Sequence, residues 1–292
     1  MFLLNRRNFL EMTAGAGAVA ALGAGPAAAA TAADVFTADE AGGLVDSVLV
    51  VGEERLLLID AQFTVPNAQR LADVIAATGK TLETIFITHY HPDHHLGLSV
   101  LMERFPDARP VAHASVQPAL AGAAQAMLDS MKAALPPELF GETAVIPEAL
   151  AGDALELEGE RFDILGPMHG DTEVITPVHL PQLDTLVGSD VLYQDSHLWT
   201  AENLTEAQLD QWRASLDDLE ALGAGTVVPG HRTESSANDA SVYAHMRQYL
   251  DAWETALAQG GSADELKAAM IAAVGELPGE LFLNRGVAAA RR

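Results

Sequence analysis

Apolar positions along this chain gather into short runs separated by longer amphipathic stretches. Short apolar runs occur at residues 47–51, 55–59, 84–87, 110–113, 155–157, 161–165, 174–179, 185–190 and 227–231. Runs of this length, rich in Val, Leu and Ile, read as strands. The longer stretches at 65–78, 96–104, 114–135, 205–222, 238–259 and 262–274 read as helices. Their ends are marked. Gly79 and Gly223 follow two of them, Pro136-Pro137 closes a third, and Thr205-Glu206 opens a fourth. Gly52-Glu53-Glu54 and Glu158-Gly159-Glu160 each separate two strands and read as hairpin turns. Strands alternating with helices predict an α/β fold.

Composition narrows the class. The chain has 292 residues, 49% hydrophobic and 20% charged, enough to bury a large core. It has no cysteine, so neither disulfides nor thiolate ligands contribute. Its net charge of −25 disfavours nucleic acid and anionic membrane surfaces as partners, leaving a small molecule as the expected substrate. The acidity is spread along the chain and reads as a solvated surface. Oligomeric state has no signature in the sequence.

Directly after the strand at 84–87 comes Thr88-His89-Tyr90-His91-Pro92-Asp93-His94-His95-Leu96-Gly97. Pro92 has no N–H to give a ladder, so the chain must leave the strand there. The loop therefore turns His89, His91, Asp93 and His94 inward. Imidazole and carboxylate at this spacing suit zinc, and also iron, manganese or cobalt. A single catalytic ion normally takes three protein ligands and a water. Four candidates in one loop therefore predict two ions, with further ligands arriving from elsewhere.

This loop resembles the T-H-x-H-x-D-H motif of the metallo-β-lactamase-fold hydrolase superfamily. Later segments extend the resemblance in order. His169, in Met168-His169-Gly170-Asp171-Thr172, resembles the His of a G-H-T segment, with Gly-Asp standing before the Thr as a departure. Asp190 follows a strand at the place of a bridging aspartate, and Pro229-Gly230-His231 matches a P-G-H segment. The resemblance implies a four-layer αβ/βα sandwich with two divalent cations, zinc first. His89, His91 and His169 would hold one; Asp93, His94 and His231 the other; Asp190 would bridge. It also implies a hydrolase in which a shared hydroxide attacks a carbonyl and Asp93 orients it. Asp60, at the end of a strand, would support a ligand histidine from behind, cap its loop, or both. Tyr193, three residues after Asp190, matches the spacing of quorum-quenching lactonases, where that Tyr helps hold a carbonyl oxygen; packing is its other reading. A small lactone or ester is the expected substrate. A β-lactam, a thioester, or mononuclear iron chemistry on sulfur are the alternatives. Gln62-Phe63-Thr64, His197 and Trp199 are candidates for the pocket mouth. His113 and His179 read as structural, and His245 as exposed.

Residues 1–33 read as an export leader, with a mature domain at 34–292 that ends in helices at about 238–274. Asn5-Arg6-Arg7-Asn8-Phe9-Leu10 resembles a twin-arginine signal, followed by an Ala/Gly run and Ala27-Ala28-Ala29-Ala30 as cleavage sites. The expected location is periplasmic or secreted, with no stable membrane association after cleavage. Changing Arg6 and Arg7 together to Lys is expected to hold the precursor in the cytoplasm, read by fractionation; normal export of that variant would refute the assignment.

Overall fold

The computed structural model describes residues 32–291; the leader expected at 1–33 lies almost wholly outside them. The first sheet runs β1 (Ala32–Thr37), β2 (Asp46–Val51), β3 (Arg55–Ile59), β4 (Thr81–Ile87), β5 (Arg109–His113) and β6 (Glu148–Leu150), side by side in chain order. The first three are antiparallel, and β3 to β6 are parallel. The second sheet has β7 (Ala154–Leu157), β8 (Glu160–Ile164), β9 (Val178–Leu180), β10 (Thr185–Gln194) and β11 (Thr226–Arg232), with β10 and β11 parallel.

Both faces of each sheet are apolar, and the alternation of side chains sorts them into layers. Val48, Val50, Leu57, Ile59, Phe86 and Val111 meet Leu155, Phe162, Val178, Val187 and Val228 between the sheets. Their neighbours Leu49, Leu56, Leu58, Ile85 and Ile87 face outward, under α1 (Val65–Ala77), α3 (Leu98–Arg104) and α4 (Gln117–Ala134). On the far side Leu186, Leu192 and Val227 lie under α5 (Glu206–Glu220), α6 (Ser241–Gln259), α7 (Ala263–Val274) and α8 (Glu280–Ala290). This is the αβ/βα sandwich, with a one-turn helix, α2 (Pro92–His95), in the loop after β4. Among the described residues no helix is long and apolar enough to cross a membrane.

Three elements depart from the sequence reading. The run at 174–179 supplies only the start of β9, and Ile175 makes a single bridge to Met168. Pro177 explains this, because it has no N–H to extend the ladder. The strand at 185–190 does not end at Asp190 but continues to Gln194 through register shifts on either side of Ser189. Finally, the C-terminal helices do not stop at about 274: a further helix, α8, follows α7. Helix α8 buries Phe282, Leu283 and Val287 against the second sheet's outer layer. Leu283 is fully buried there, so Leu283→Ala is expected to cost about 2–5 kcal/mol of unfolding free energy. Denaturant titration measures this; a loss near zero would mean that α8 contributes no core.

Candidate metal centre

The candidate ligands meet at one edge of the sandwich, after the end of β4, at the irregular stretch of β10 and near the end of β11. The loop after β4 delivers His89 directly and His91 as the residue that precedes α2; Asp93 and His94 sit within α2. Asp60, with φ +60°, closes β3 beside this loop. Its carboxylate accepts from the Thr88 amide at 2.9 Å and the Thr88 hydroxyl at 2.8 Å, and its Oδ2 lies 2.8 Å from His94 Nδ1. Asp60 therefore supports a candidate ligand from behind, as the first reading has it; the loop it fixes is the ligand loop after β4 rather than its own, where Thr64 caps α1.

Asp190 reaches the edge by a bulge rather than by a strand end. Between Val187 and Tyr193, β10 carries more residues than its partner span in β11, and Ser189 takes φ +46°. The extra residues push Asp190 out of the ladder and across to the ligand loop. In the partner strand Pro229, which has no N–H for a ladder, stands opposite Ser189 where the register shifts. Gly230 lets the strands approach: a Cβ there would collide with Asp190 Oδ1.

Potential ligand atoms fall into two groups, each spanning no more than 4.8 Å: His89, His91, Asp171 and Asp190; and Asp93, His94 and His231. Asp190 lies between them, with Oδ2 3.1 Å from His231 Nε2 and 3.5 Å from His89 Nε2, and Oδ1 3.1 Å from His94 Nε2. His231 Nε2 and Asp190 Oδ2 are hydrogen-bonded, but several of the converging atoms are not. Despite burial, His89 Nε2, His94 Nε2, Asp190 Oδ1 and Asp171 Oδ1 have no hydrogen-bond partner among the described residues. Buried polar atoms are rarely left so. Unsatisfied polar atoms converging in this way form a cradle for cations, and the donor set of imidazoles and carboxylates suits divalent ones.

Each ring is fixed from behind through its other nitrogen, the usual support for a metal-binding histidine. His89 Nδ1 lies 3.1 Å from Thr88 Oγ1, and His94 Nδ1 faces Asp60. His231 Nδ1 donates to the Gly43 carbonyl at 2.7 Å. His91 Nε2 lies 2.8 Å from Glu202 Oε1, which turns Nδ1 toward Asp171 Oδ2 at 3.0 Å. Glu202 also accepts from the Tyr90 hydroxyl at 2.8 Å, the Thr172 hydroxyl at 2.9 Å and the Trp199 indole at 3.3 Å.

The electrostatics are those of a centre that demands positive charge. Burial alone would raise the Asp190 pKa, but His231, His94 and His89 hold it well below the carboxylate range. Burial opposes charge on His91 and His94 too, yet Asp171 and Glu202 raise the first, and Asp190 and Asp60 the second. Burial and the neighbouring His94 push His89 down to about 4, leaving it a neutral donor. Burial lifts Asp171 to about 7 against the pull of His91.

Of the sequence candidates, His89, His91, Asp93, His94, Asp190 and His231 come together, and His169 does not. Its Nε2 lies 2.7 Å from Asn203 Oδ1, outside both groups, and Asp171 joins the first group instead. The reason is the frame: Gly170-Asp171-Thr172 aligns with G-H-T when Asp171, not His169, takes the middle place. Tyr193 is fully buried, and its hydroxyl lies 2.9 Å from Asp171 Oδ2 and 3.0 Å from Asp190 Oδ2, facing ligands rather than an open cleft. Gln62 is buried against Val45 and Ser47, and Thr64 caps α1, so only Phe63 of that loop stays partly open. His197 turns to Tyr249, while Trp199 packs edge-on against His91 and Phe282. His113 lies between Ser115 and Asp153, away from both groups, and His179 lies within β9. His245 is half-buried rather than exposed, its Nε2 on the Ser196 carbonyl. Glu202 and Phe282 were missed. Glu202 has no local signature among 41 acidic residues, whereas the spacing of Phe282, Leu283 and Val287 after Pro278-Gly279 was legible as a helix.

Comparison with known proteins agrees with this architecture. The model of the metallo-beta-lactamase superfamily matches residues 41–231, and that of the twin-arginine translocation pathway signal sequence matches residues 3–23. That signal directs export across the cytoplasmic membrane to the periplasm. No curated protein matches significantly. Among solved structures, a metallo-beta-lactamase family protein from Thermus thermophilus is similar at TM-score 0.58 and 23% identity, over 84% of this chain and 86% of that one. A metallo-beta-lactamase from Pontibacter korlensis is similar at TM-score 0.53 and 19% identity, over 78% of this chain and 97% of that one. These likenesses are of fold. With the family model spanning the ligand loop, Asp190 and His231, the chain belongs to the metallo-beta-lactamase superfamily.

Proposed function

We propose that this protein is a binuclear metal-dependent hydrolase acting on a small, uncharged lactone or ester in the periplasm. The observation that carries the reading is the pair of ligand groups meeting at Asp190, with buried imidazole nitrogens that have no hydrogen-bond partner. His89, His91, Asp171 and Asp190 would hold one divalent cation; Asp93, His94, His231 and Asp190 the other, with zinc the first expectation for so many imidazoles. Bound cations of this kind supply Lewis acidity and a water activated at neutral pH.

The chain's own residues do the rest. Asp93 is the candidate catalytic carboxylate: its side chain keeps 17% exposure, so it alone of its group opens toward the cleft and can accept and return a proton there. Its pKa is lowered, because His94 and His231 outweigh burial, so it is ionised at neutral pH. The groups flanking the ligands are aromatic or acidic: Trp199, Tyr90 and Glu202 beside His91, and Phe282 edge-on to His231. Such walls favour an uncharged acyl group over the anionic nucleus of a β-lactam. Tyr193 would act by orienting Asp171 and Asp190. The leader would be cut within the alanine run before Ala32, since β1 pairs with β2 from Ala32 onward.

The test is a panel of lactones, esters, thioesters and β-lactams with metal-quantified protein. Neutral lactones or esters are expected to exceed β-lactams at least about tenfold in kcat/KM, about 1.4 kcal/mol of barrier. A preference for anionic β-lactams would overturn the substrate reading. Glu202→Ala is expected to weaken binding of one of two ions by about 10- to 100-fold, measured by competition with a chromophoric chelator. Unchanged affinity would leave Glu202 as a surface residue.

A further inference from the structure

Residue 171 is held in place more firmly than a loop aspartate needs to be. Its amide donates to the Asp190 carbonyl at 3.1 Å. The Asn203 side-chain amide, fully buried, donates to the carbonyls of Gly170 at 3.1 Å and Asp171 at 2.8 Å, while its oxygen meets His169. Gly170 passes so close to β10 that a Cβ would stand 2.6 Å from the Asp190 carbonyl. The segment is thus pinned with residue 171 facing the first group and His169 facing away. The Asp171 carboxylate is 1% exposed; Oδ2 meets His91 Nδ1 and Tyr193, and Oδ1 is buried without a partner.

We propose that Asp171 replaces a histidine as a ligand, so that both halves of the centre carry the same donors, and that this substitution narrows the centre's preference for zinc over manganese. The proposal rests on the reading that the two groups hold cations. His89, His91 and Asp171 then match His94, His231 and Asp93, with Asp190 common to both. Three carboxylates, rather than two, face two dications, and carboxylate oxygen suits manganese better relative to zinc than imidazole nitrogen does. The single proton of the Tyr193 hydroxyl, shared between Asp171 and Asp190, ties the new ligand to the common one.

The experiment counts metals, not turnover. Wild type, Asp171→Asn, Asp171→His and His169→Ala are dialysed against zinc and manganese together, and bound metal is measured by mass spectrometry. The wild type and His169→Ala are expected to bind two ions with the same zinc-to-manganese ratio. Asp171→Asn, which keeps size and removes charge, is expected to bind one ion at least about 100-fold more weakly. Asp171→His is expected to keep two ions and to shift the ratio toward zinc by about tenfold or more. Loss of an ion in His169→Ala, two tight ions in Asp171→Asn, or an unchanged ratio in Asp171→His would each overturn the proposal. Wild type that binds no metal would instead refute the reading of the centre itself. Should Asp171→His fail to fold by circular dichroism, the Asp171→Asn count still decides whether Asp171 is a ligand.

Discussion

The organisation of this molecule follows from the burial of Asp190. A carboxylate that is 1% exposed would normally be neutral, because desolvation of an isolated charge is costly. Here it stays ionised because His89, His94 and His231 surround it, and those rings are in turn fixed by Thr88, Asp60 and Gly43. Each support comes from a different part of the chain. Asp60 ends β3, Thr88 follows β4, Gly43 precedes β2, and His231 lies in β11. The centre is thus a network in which the buried charge of Asp190 depends on several rings at once, each held by a separate segment.

The same edge joins the two sheets. Val45 bridges to His231, and the Arg232 amide donates to the Leu44 carbonyl. Arg232 Nε donates to Asp46 Oδ2 at 2.8 Å, a pair buried between β11 and β2. Burial still pushes Asp46 up to about 7, against the pull of Arg232, so the pair costs desolvation as well as giving attraction. Its value is positional: it locks the strand that carries His231 to β2 of the first sheet.

Much of this was legible because it depends on local chemistry. The ligand loop is contiguous, and Pro92 alone says that the strand has ended. The doubly apolar strands were visible as short runs, and the hairpins as Gly- and Glu-rich turns. What was not legible depends on partners. The bulge at Asp190 is set by how β10 pairs with β11 and by the absence of a side chain at Gly230, neither of which shows in β10 itself. The choice between His169 and Asp171 is made by Asn203, more than 30 residues away. Histidine is the stronger prior for a metal ligand, and that prior hid the better frame, Gly170-Asp171-Thr172. Glu202 is one acid among many until the fold brings it to His91.

Metal and fold are therefore coupled more tightly than in a protein whose ligands sit on an independent scaffold. Ligands that come from four separated segments form no cradle in the unfolded chain, so cation binding adds directly to folding free energy. It also relieves a specific conflict. With Asp93, Asp171 and Asp190 converging beside rings that burial makes reluctant to charge, the folded centre must hold protons on His91, His94 and His231 or accept cations in their place. Cations satisfy all of these groups at once, whereas protons satisfy only pairs. The twin-arginine signal fits this requirement, because that route carries folded proteins: a centre assembled from distant segments can be completed before the chain crosses the membrane.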